Sequence, residues 1–256
     1  MREPQELARH ITTSIRRIVA EASTATAYRL PLVGFAPADD PGFKELRRIV
    51  GRQHRLPRHL LPGARSVVSF FLPFAPWVVE ANAGDRDQVA PEWAVAYVET
   101  NALIATINER LITSLGEEDI RAVSEPATHN YDPETLVSSW SHKSVAVIAG
   151  LGTFGLHHMV ITDAGCAGRF GSIILDAELP IEPPEFKQRC LYFYDASCLE
   201  CITRCPVGAL EPDVALDRHR CNRRLEEVAH QYEQLGRAPV CGKCVLGPCA
   251  FKSAVD

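Results

Sequence analysis

The sequence predicts a mixed α+β body followed by a small cysteine-rich domain, because three features divide the chain in two. Helical and extended patterns alternate in the first part. The first cysteine is Cys166, and the other eight lie from Cys190 to Cys249. Prolines, which interrupt helices and central strands, mark the joint: Pro180, Pro183 and Pro184. We predict two domains, over residues 1–182 and 183–256.

The periodicity of apolar residues predicts the elements of the body. Apolar side chains recur at helical spacing over Glu3–Ser23, which predicts an amphipathic first helix. The apolar runs Leu32–Ala36 and Ser66–Leu72 predict strands. Pro91 begins a long predicted helix, since proline is favoured in a first helical turn.

The region 140–175 contains a pattern that imitates a dinucleotide-binding motif. Gly150-Leu-Gly152-Thr-Phe-Gly155 matches G-x-G-x-x-G, but the segment that follows is short and extended instead of helical. We instead predict a helix over Trp140–Ala149 that ends at Gly150. Strands are predicted on both sides of a turn that contains Gly165 and Gly168: Met159–Thr162 and Ser172–Leu175.

The composition excludes several classes of protein. A hydrophobic fraction of 46% with 23% charged residues is typical of a globular domain. The formal net charge of −5 gives no basic field, so a nucleic-acid partner is not expected. No apolar run reaches the roughly 18 residues that span a membrane, and no secretory signal pattern is present. We therefore predict a cytoplasmic protein without a membrane partner, whose cysteines bind metal instead of forming disulfides.

The spacing of the cysteines indicates iron–sulfur chemistry. Cys198-x2-Cys201-x3-Cys205-Pro206 resembles the bacterial ferredoxin run, in which the cysteine before proline ligates the other of two clusters. This rule predicts two 4Fe–4S clusters. One cluster would be held by Cys198, Cys201 and Cys249. The other would be held by Cys205, Cys221, Cys241 and Cys244.

The first cluster lacks a fourth ligand in this scheme, and two residues are candidates. The ferredoxin spacing falls on Asp195, whereas the available cysteine is Cys190. We favour Cys190 because thiolates suit iron–sulfur clusters better than carboxylates. A pair of four-cysteine zinc sites agrees with the cysteine count, but the Cys-Pro pair is a ferredoxin feature. Cys166 is interpreted as a small buried loop residue, with a thiol near a cofactor as the alternative.

Three motifs, together with the cysteine tail, resemble epoxyqueuosine reductases and their shorter iron–sulfur relatives. They are Leu61-Pro-Gly-Ala-Arg-Ser-Val-Val68, His142-Lys143-x-Val-Ala-Val-Ile-Ala-Gly-Leu-Gly-Thr-Phe-Gly155 and Gly168-Arg-Phe-Gly-Ser172. The resemblance implies a nitroreductase-like, cobalamin-processing-like α+β domain joined to a two-cluster ferredoxin-like domain. It also implies the same partition of the cysteines, and a cobalamin as the second cofactor, with a flavin as the next choice.

The catalytic aspartate of that family has no counterpart in register in this sequence. Its position falls close to Leu136, with Asp132 and Glu134 nearby. This departure favours a relative that does not modify tRNA. Tyr131 and Asp132 are the candidate catalytic acids for a proton-coupled reduction, and an ordinary Asn- and Asp-rich turn is the alternative interpretation.

Residues near the glycine motif are candidates for ligand binding. His157 and His158 are predicted on a strand, where neighbours face opposite sides, so that only one would face a pocket. His157 is the third candidate catalytic residue, since imidazole exchanges protons near neutral pH. His142 and Lys143 either hold an anionic group or lie on the solvated side of their helix. The candidate cofactor-binding residues are Gly152, Gly155, His158, Gly171 and Ser172.

We predict a reductase in which electrons from reduced ferredoxin or flavodoxin cross two 4Fe–4S clusters. They would reach a corrinoid or a small-molecule substrate held by the body. The alternative is a non-catalytic ferredoxin-type carrier, or a redox activator of a partner corrinoid protein. The long body ahead of the cysteines favours an enzyme, and a ligand-sized pocket facing the clusters would separate the two hypotheses.

Overall fold

The computed structural model describes residues 2–181 and 187–255. The predicted domain boundary at residues 182 and 183, with Pro183 and Pro184, lies outside the described residues. No helix in the described part of the chain is long and apolar enough to cross a membrane.

Helices and strands alternate along the body, and short helices follow in the tail. The helices are α1 Pro4–Ala20, α2 Pro41–Ile49, α3 Pro57–Leu60, α4 Pro76–Ala81, α5 Pro91–Gly116, α6 His142–Ile148, α7 Leu191–Asp195, α8 Glu200–Arg204 and α9 Arg218–Gln231, with 3₁₀ turns at Glu233–Leu235 and Lys243–Val245. The strands are β1 Leu32–Pro37, β2 Ser66–Pro73, β3 Ala122–Val123, β4 Gly152–Phe154, β5 Val160–Thr162 and β6 Gly168–Leu175.

Four strands form an antiparallel sheet in the order β1-β2-β6-β3, and β4 and β5 form a separate hairpin. Every residue of β2 is buried, because helices cover both faces of the sheet. Val68 and Phe70 pack with α1 and α5, whereas Val67 packs with Trp140 and the α2 side. Alternation of side chains along a strand sends these residues to opposite layers. The result is a three-layer arrangement with the sheet in the middle.

Proline marks the start of each of the first five helices. These residues are Pro4, Pro41, Pro57, Pro76 and Pro91. Proline at this position loses no intrahelical hydrogen bond, and its fixed φ angle suits the first turn. The predicted start of the long helix at Pro91 is therefore confirmed, and the same signal was available for α2 to α4.

Most predicted elements of the body are confirmed, with shifted ends. The first helix ends at Ala20 instead of Ser23, and α6 covers His142–Ile148 instead of the predicted ten residues from Trp140. Gly150 has a φ of 74°, as expected of a glycine that ends a helix. The prediction that Gly168 lies in a turn is wrong. Gly168 is the first residue of β6. It packs closely against β2, because a Cβ there would lie 2.3 Å from the Leu72 carbonyl oxygen.

The glycine motif serves packing of the β4–β5 hairpin and not a dinucleotide fold. A Cβ at Gly152 would lie 2.2 Å from the carbonyl oxygen of Ile161. A Cβ at Gly155 would lie 2.8 Å from Cδ1 of Ile161 and 2.9 Å from Cε1 of His157. Both positions therefore require glycine for close approach.

A buried hydrogen-bond network fixes α6 against β6. Trp140 Nε1 donates to Ser172 Oγ at 2.9 Å, and His142 Nδ1 lies 2.9 Å from the same oxygen. His142 Nε2 faces the Pro126 carbonyl at 2.9 Å, so this nitrogen carries the hydrogen and Nδ1 accepts from the Ser172 hydroxyl. Burial lowers the pKa of His142 to about 4, which keeps the ring neutral. His142 therefore does not lie on a solvated face.

Ser172 and its cross-strand partner Ser69 form a matched pair for a stability test. Both are fully buried and opposite each other in the sheet, but Ser69 Oγ has no hydrogen-bond partner in the described structure. We expect Ser172→Ala to lower the free energy of unfolding by about 1–3 kcal/mol, because it leaves the Trp140 donor unsatisfied. Ser69→Ala should change it by less than about 0.5 kcal/mol. Urea denaturation measures both, and equal losses would contradict the network.

The cysteine-rich tail packs into the same hydrophobic core as one end of the body. This shared core includes Trp93 and Val78 from the body and Cys201, Val228 and Val245 from the tail. Polar contacts reinforce it: Asn82 Nδ2 donates to the Cys241 carbonyl at 2.9 Å, and Arg86 donates to the Cys205 carbonyl at 2.8 Å. The body therefore positions the loops that carry the cysteines.

Candidate metal centres and the adjoining cavity

Four cysteines converge on a narrow pocket between the tail and the β4–β5 hairpin. They are Cys190, Cys198, Cys201 and Cys249. Burial, and then the neighbouring sulfurs of Cys249, Cys190 and Cys198, raise the pKa of Cys201 to about 12. Thiols that repel one another as anions are the arrangement that a bound metal centre stabilises.

Four other cysteines of the tail line a larger cavity: Cys205, Cys221, Cys241 and Cys244. Cys166 of the body also lines it. Burial, and then Cys241 and Cys205, raise the pKa of Cys221 to about 11. Cys244 also borders the narrow pocket, so the two sets lie next to each other. The division of the cysteines between two clusters stays a prediction.

Cys190, and not Asp195, lies beside the other three cysteines of the narrow pocket. Cys190 is buried and immediately precedes α7. Asp195 is exposed at the end of that helix, where its carboxylate accepts a hydrogen bond from the Ser197 backbone at 3.0 Å. This hydrogen bonding lowers the pKa of Asp195. The carboxylate thus serves the turn before Cys198.

The ninth cysteine, Cys166, lies at the junction of the two sets. Its side chain is fully buried, and its Sγ is 3.7 Å from Sγ of Cys249. His157 Nε2 approaches the same Cys249 sulfur at 3.4 Å. Hydrogen bonding by Cys166, and then by His157, lowers the pKa of Cys249 against the effect of burial. Cys166 is therefore both a small buried residue and a thiol at the candidate site.

The larger cavity has a volume of about 400 Å³ and is shared by the body and the tail. Its apolar walls include Phe74, Trp93, Leu136, Leu210 and Val240. Among the described residues, its charged lining groups are all cationic: Lys143, Arg169, Arg218, Arg224 and Lys243. No described carboxylate lines it.

Arg169 and Lys143 are half-buried cations on the body side of the cavity. Arg169 donates from Nε to Asn101 Oδ1 at 2.8 Å, and its guanidinium carbon lies 4.3 Å from the centroid of the Tyr97 ring. Lys143 Nζ donates to the His158 carbonyl at 3.0 Å. Neither forms an ion pair with a carboxylate in the described part of the chain. Burial lowers the pKa of both groups.

The candidate catalytic residues are partly brought together. Tyr131, His157 and His158 line the cavity, whereas Asp132 does not. The Asp132 side chain is exposed, and Oδ1 accepts from the backbone of Thr135 at 2.8 Å, which lowers its pKa. The prediction that the two histidines lie on a strand is wrong. They occupy the turn of the β4–β5 hairpin, where His158 has a φ of 58° and both rings reach the cavity.

The candidate cofactor-binding residues other than His158 lie outside the cavity lining. Gly152 and Gly155 pack inside the hairpin, and Ser172 holds the network with Trp140. A Cβ at Gly171 would lie 2.3 Å from the Phe70 ring, so this glycine serves close packing in the sheet. Their role in cofactor binding stays a prediction.

Two features of the cavity were missed from the sequence. Arg169 stands inside an apolar strand, and a lone charge in such a strand is a signal that could have been read. Three cavity residues also have positive φ without being glycine: His129, Leu136 and His158. Such strained backbone clusters at functional sites. The spacing of residues along the sequence does not predict these backbone conformations.

Comparison with solved structures identifies the fold as one shared by epoxyqueuosine reductases and a reductive dehalogenase. The Bacillus subtilis epoxyqueuosine reductase matches with a TM-score of 0.61 and 19% identity, over 97% of this chain and 69% of that chain. An epoxyqueuosine reductase crystallised with a tRNA-Tyr stem loop gives a TM-score of 0.59 at 19% identity, with the same coverage. The catabolic reductive dehalogenase NpRdhA gives 0.61 at 15% identity, over 99% of this chain and 33% of that chain.

The curated relatives that match this chain in sequence are epoxyqueuosine reductases. Epoxyqueuosine reductase of Salmonella typhimurium LT2 is 26% identical over 172 residues, which are 67% of this chain and 42% of that protein. The Escherichia coli K12 enzyme is 26% identical over 166 residues, 64% of this chain and 41% of that protein. The chain thus spans less than half the length of these relatives. The resemblance to epoxyqueuosine reductases is confirmed in sequence and fold, while no family model matches the chain.

Single cysteine substitutions test the two ligand sets. We expect Cys190→Ser and Cys241→Ser each to lose about half of the roughly eight irons that two clusters contain, because each removes a ligand from one set. Asp195→Ala is the matched control for Cys190 and should keep all of the iron. Iron and acid-labile sulfide per chain, measured after anaerobic purification, give the answer. Iron loss in Asp195→Ala with none in Cys190→Ser would contradict the assignment.

Proposed function

We propose that this chain is an iron–sulfur oxidoreductase that holds two 4Fe–4S clusters and delivers low-potential electrons to a ligand in the cavity. One observation carries the proposal: the cysteines of the second set line the same cavity as body residues. An electron at that set would therefore be next to any molecule bound by the body. The relatives named epoxyqueuosine reductase support a reductase in general terms.

The residues present fit two clusters. Each set supplies four thiols, which is the ligand number of a 4Fe–4S cluster, and each set lies in a largely apolar setting. When bound, such clusters supply one-electron transfer at low potential. The chain's own contribution is to bury the sulfurs and to hold the loops, as Asn82 does for the loop between Cys241 and Cys244.

The electron donor in this proposal is reduced ferredoxin or flavodoxin, docking beside the first set. Apolar side chains are exposed around Cys198: Phe193, Tyr194 and Leu199. Exposed apolar residues next to a redox centre are suited to a transient protein interface. Electrons would enter at this face and leave on the cavity side.

The class of ligand follows from the cavity. Its apolar walls and cationic groups suit a small, partly apolar molecule that carries an anionic group. Arg169 and Lys143 would bind that group, since each lines the cavity, half-buried, without a carboxylate partner in the described structure. Tyr131 would hold a proton for the reduction. Burial lowers the pKa of His158, which favours its neutral ring, and this ring would serve as a hydrogen-bonding group in the cavity.

A corrinoid does not fit inside the cavity as the structure has it. A volume of about 400 Å³ lies near the low end of small-molecule pockets, and a corrin macrocycle with its nucleotide tail is much larger. One reductive dehalogenase structure that shares the fold suggests a mechanism for B12-dependent dehalogenation. We therefore derive no step through a corrinoid and keep it, with flavin, as an alternative that experiment distinguishes.

A non-catalytic carrier is the second hypothesis, and the cavity argues against it. A carrier needs clusters near its surface and no ligand pocket. Here positive-φ residues, the buried Lys243 and the half-buried Lys143 and Arg169 are held around a cavity that borders a cysteine set. Such strained and costly groups persist where a ligand uses them.

Binding to the cluster-loaded protein tests the ligand class. We expect 3-bromo-4-hydroxybenzoate, the anion bound by the dehalogenase that shares the fold, to bind under anaerobic conditions. Arg169→Gln should raise its dissociation constant about tenfold or more, because a hydrogen bond to a charged group is worth ~1.5–3 kcal/mol. Arg58→Gln removes the same charge from an exposed site outside the cavity lining and should leave it unchanged. Calorimetry measures all three proteins.

Hydroxocobalamin and FMN are titrated in the same way. Stoichiometric binding of either, without binding of the benzoate, would contradict the small-anion proposal and assign that cofactor. If the benzoate, hydroxocobalamin and FMN all fail to bind to a protein that contains about eight irons, the hypothesis of a non-catalytic carrier replaces that of an enzyme.

A further inference from the structure

Two polar side chains converge on the sulfur of Cys249 from the body. His157 Nε2 is 3.4 Å from this sulfur, and Cys166 Sγ is 3.7 Å from it. The ligand atoms of the three side chains all lie within 4.8 Å of one another. Because His157 is 4% exposed and Cys166 is 0% exposed, water does not compete for these contacts.

The hydrogen bonds of His157 fix which ring nitrogen carries the proton. Its Nδ1 accepts a hydrogen bond from the Met159 backbone N–H at 3.0 Å. A nitrogen that accepts has no hydrogen of its own, so the neutral ring carries its hydrogen on Nε2. The Nε2–H group faces the Cys249 sulfur. His157 is therefore a donor to that thiolate.

Cys166 supplies the second contact. Its single S–H group has two acceptors in range, the Val245 carbonyl and the Cys249 sulfur, both at 3.7 Å. In the proposed partition, the first cluster already has four cysteine ligands without it: Cys190, Cys198, Cys201 and Cys249, all of which line the narrow pocket. Cys166 is therefore not needed as a ligand of the first cluster, and its S–H group lies where it can donate to the Cys249 sulfur.

Gly155 makes the position of the His157 ring attainable. A Cβ on this residue would lie 2.9 Å from Cε1 and 3.1 Å from Nε2 of the His157 ring. Only a residue without a side chain leaves the ring where it meets Cys249. The glycine of the motif is therefore tied to the metal centre through His157.

We propose that His157 and Cys166 are positioning residues that raise the reduction potential of the cluster ligated by Cys249. The inference rests on the proposed function, in which Cys249 is a ligand of the first cluster. A donor to a ligand sulfur stabilises the more negative, reduced cluster more than the oxidised one, and hydrogen bonds to sulfur are an established determinant of cluster potential. The body would thereby make the first cluster the favoured acceptor for incoming electrons.

Redox titration of the cluster-loaded protein, followed by electron paramagnetic resonance, tests the inference. We expect His157→Phe to lower the midpoint potential of one cluster. At a fixed potential, the ratio of reduced to oxidised cluster should fall about tenfold, which corresponds to a shift of about 59 mV for one electron. Cys166→Ala should lower the same potential. His157→Gln and Cys166→Ser retain N–H and O–H donors and should restore part of the shift. The other cluster should not change.

The outcomes separate this inference from the proposed function. Unchanged potentials in both His157→Phe and Cys166→Ala, with full iron content, would overturn the inference and leave the two clusters intact. Loss of iron in Cys166→Ala would also overturn it, because Cys166 would then be a ligand. If Cys249→Ser keeps all of its iron, the ligand assignment fails instead. If His157→Phe does not fold, the comparison of Cys166→Ala with Cys166→Ser tests the inference by itself.

Discussion

Two backbone hydrogen bonds join the cysteine tail to the body at the point where both sets of cysteines meet. The Cys166 N–H donates to the Cys249 carbonyl at 2.9 Å, and the Ala167 N–H donates to the Ala250 carbonyl at 3.2 Å. Gly165, with a φ of 79°, allows this approach, since a Cβ there would lie 2.3 Å from the Ala250 oxygen. The turn between β5 and β6 therefore sets the position of Cys249, and through it the narrow pocket and the edge of the cavity.

Electrostatics connect the two sides of this junction. The cysteine sets concentrate groups that become anionic when they bind metal. The cavity beside the second set is lined by cations, of which Arg169 and Lys143 are half-buried without carboxylate partners in the described structure. In the proposed function, these cations would offset the negative charge of metal-bound thiolates and of an anionic ligand.

The sequence predicted the parts of this site that depend on local spacing. The run from Cys198 to Cys205 and the proline after it were sufficient to propose a division of the cysteines, because a ligand loop is a local structure. The choice between Cys190 and Asp195 was reached from ligand chemistry, and it agrees with the buried position of Cys190. The contact of His157 with Cys249 could not be predicted, since 92 residues separate the two and a hairpin turn aims the ring. Arg169 was missed, although a lone charge inside an apolar strand is a signal that the sequence displays.

The central claim is that two separate metal clusters lie in this chain, one in each cysteine set. Anomalous diffraction at the iron edge, from crystals of anaerobically purified protein, tests it most directly. The account predicts two groups of iron peaks, one bounded by Cys190, Cys198, Cys201 and Cys249 and the other by Cys205, Cys221, Cys241 and Cys244. Single peaks at the zinc edge, or one iron group that draws ligands from both sets, would contradict it.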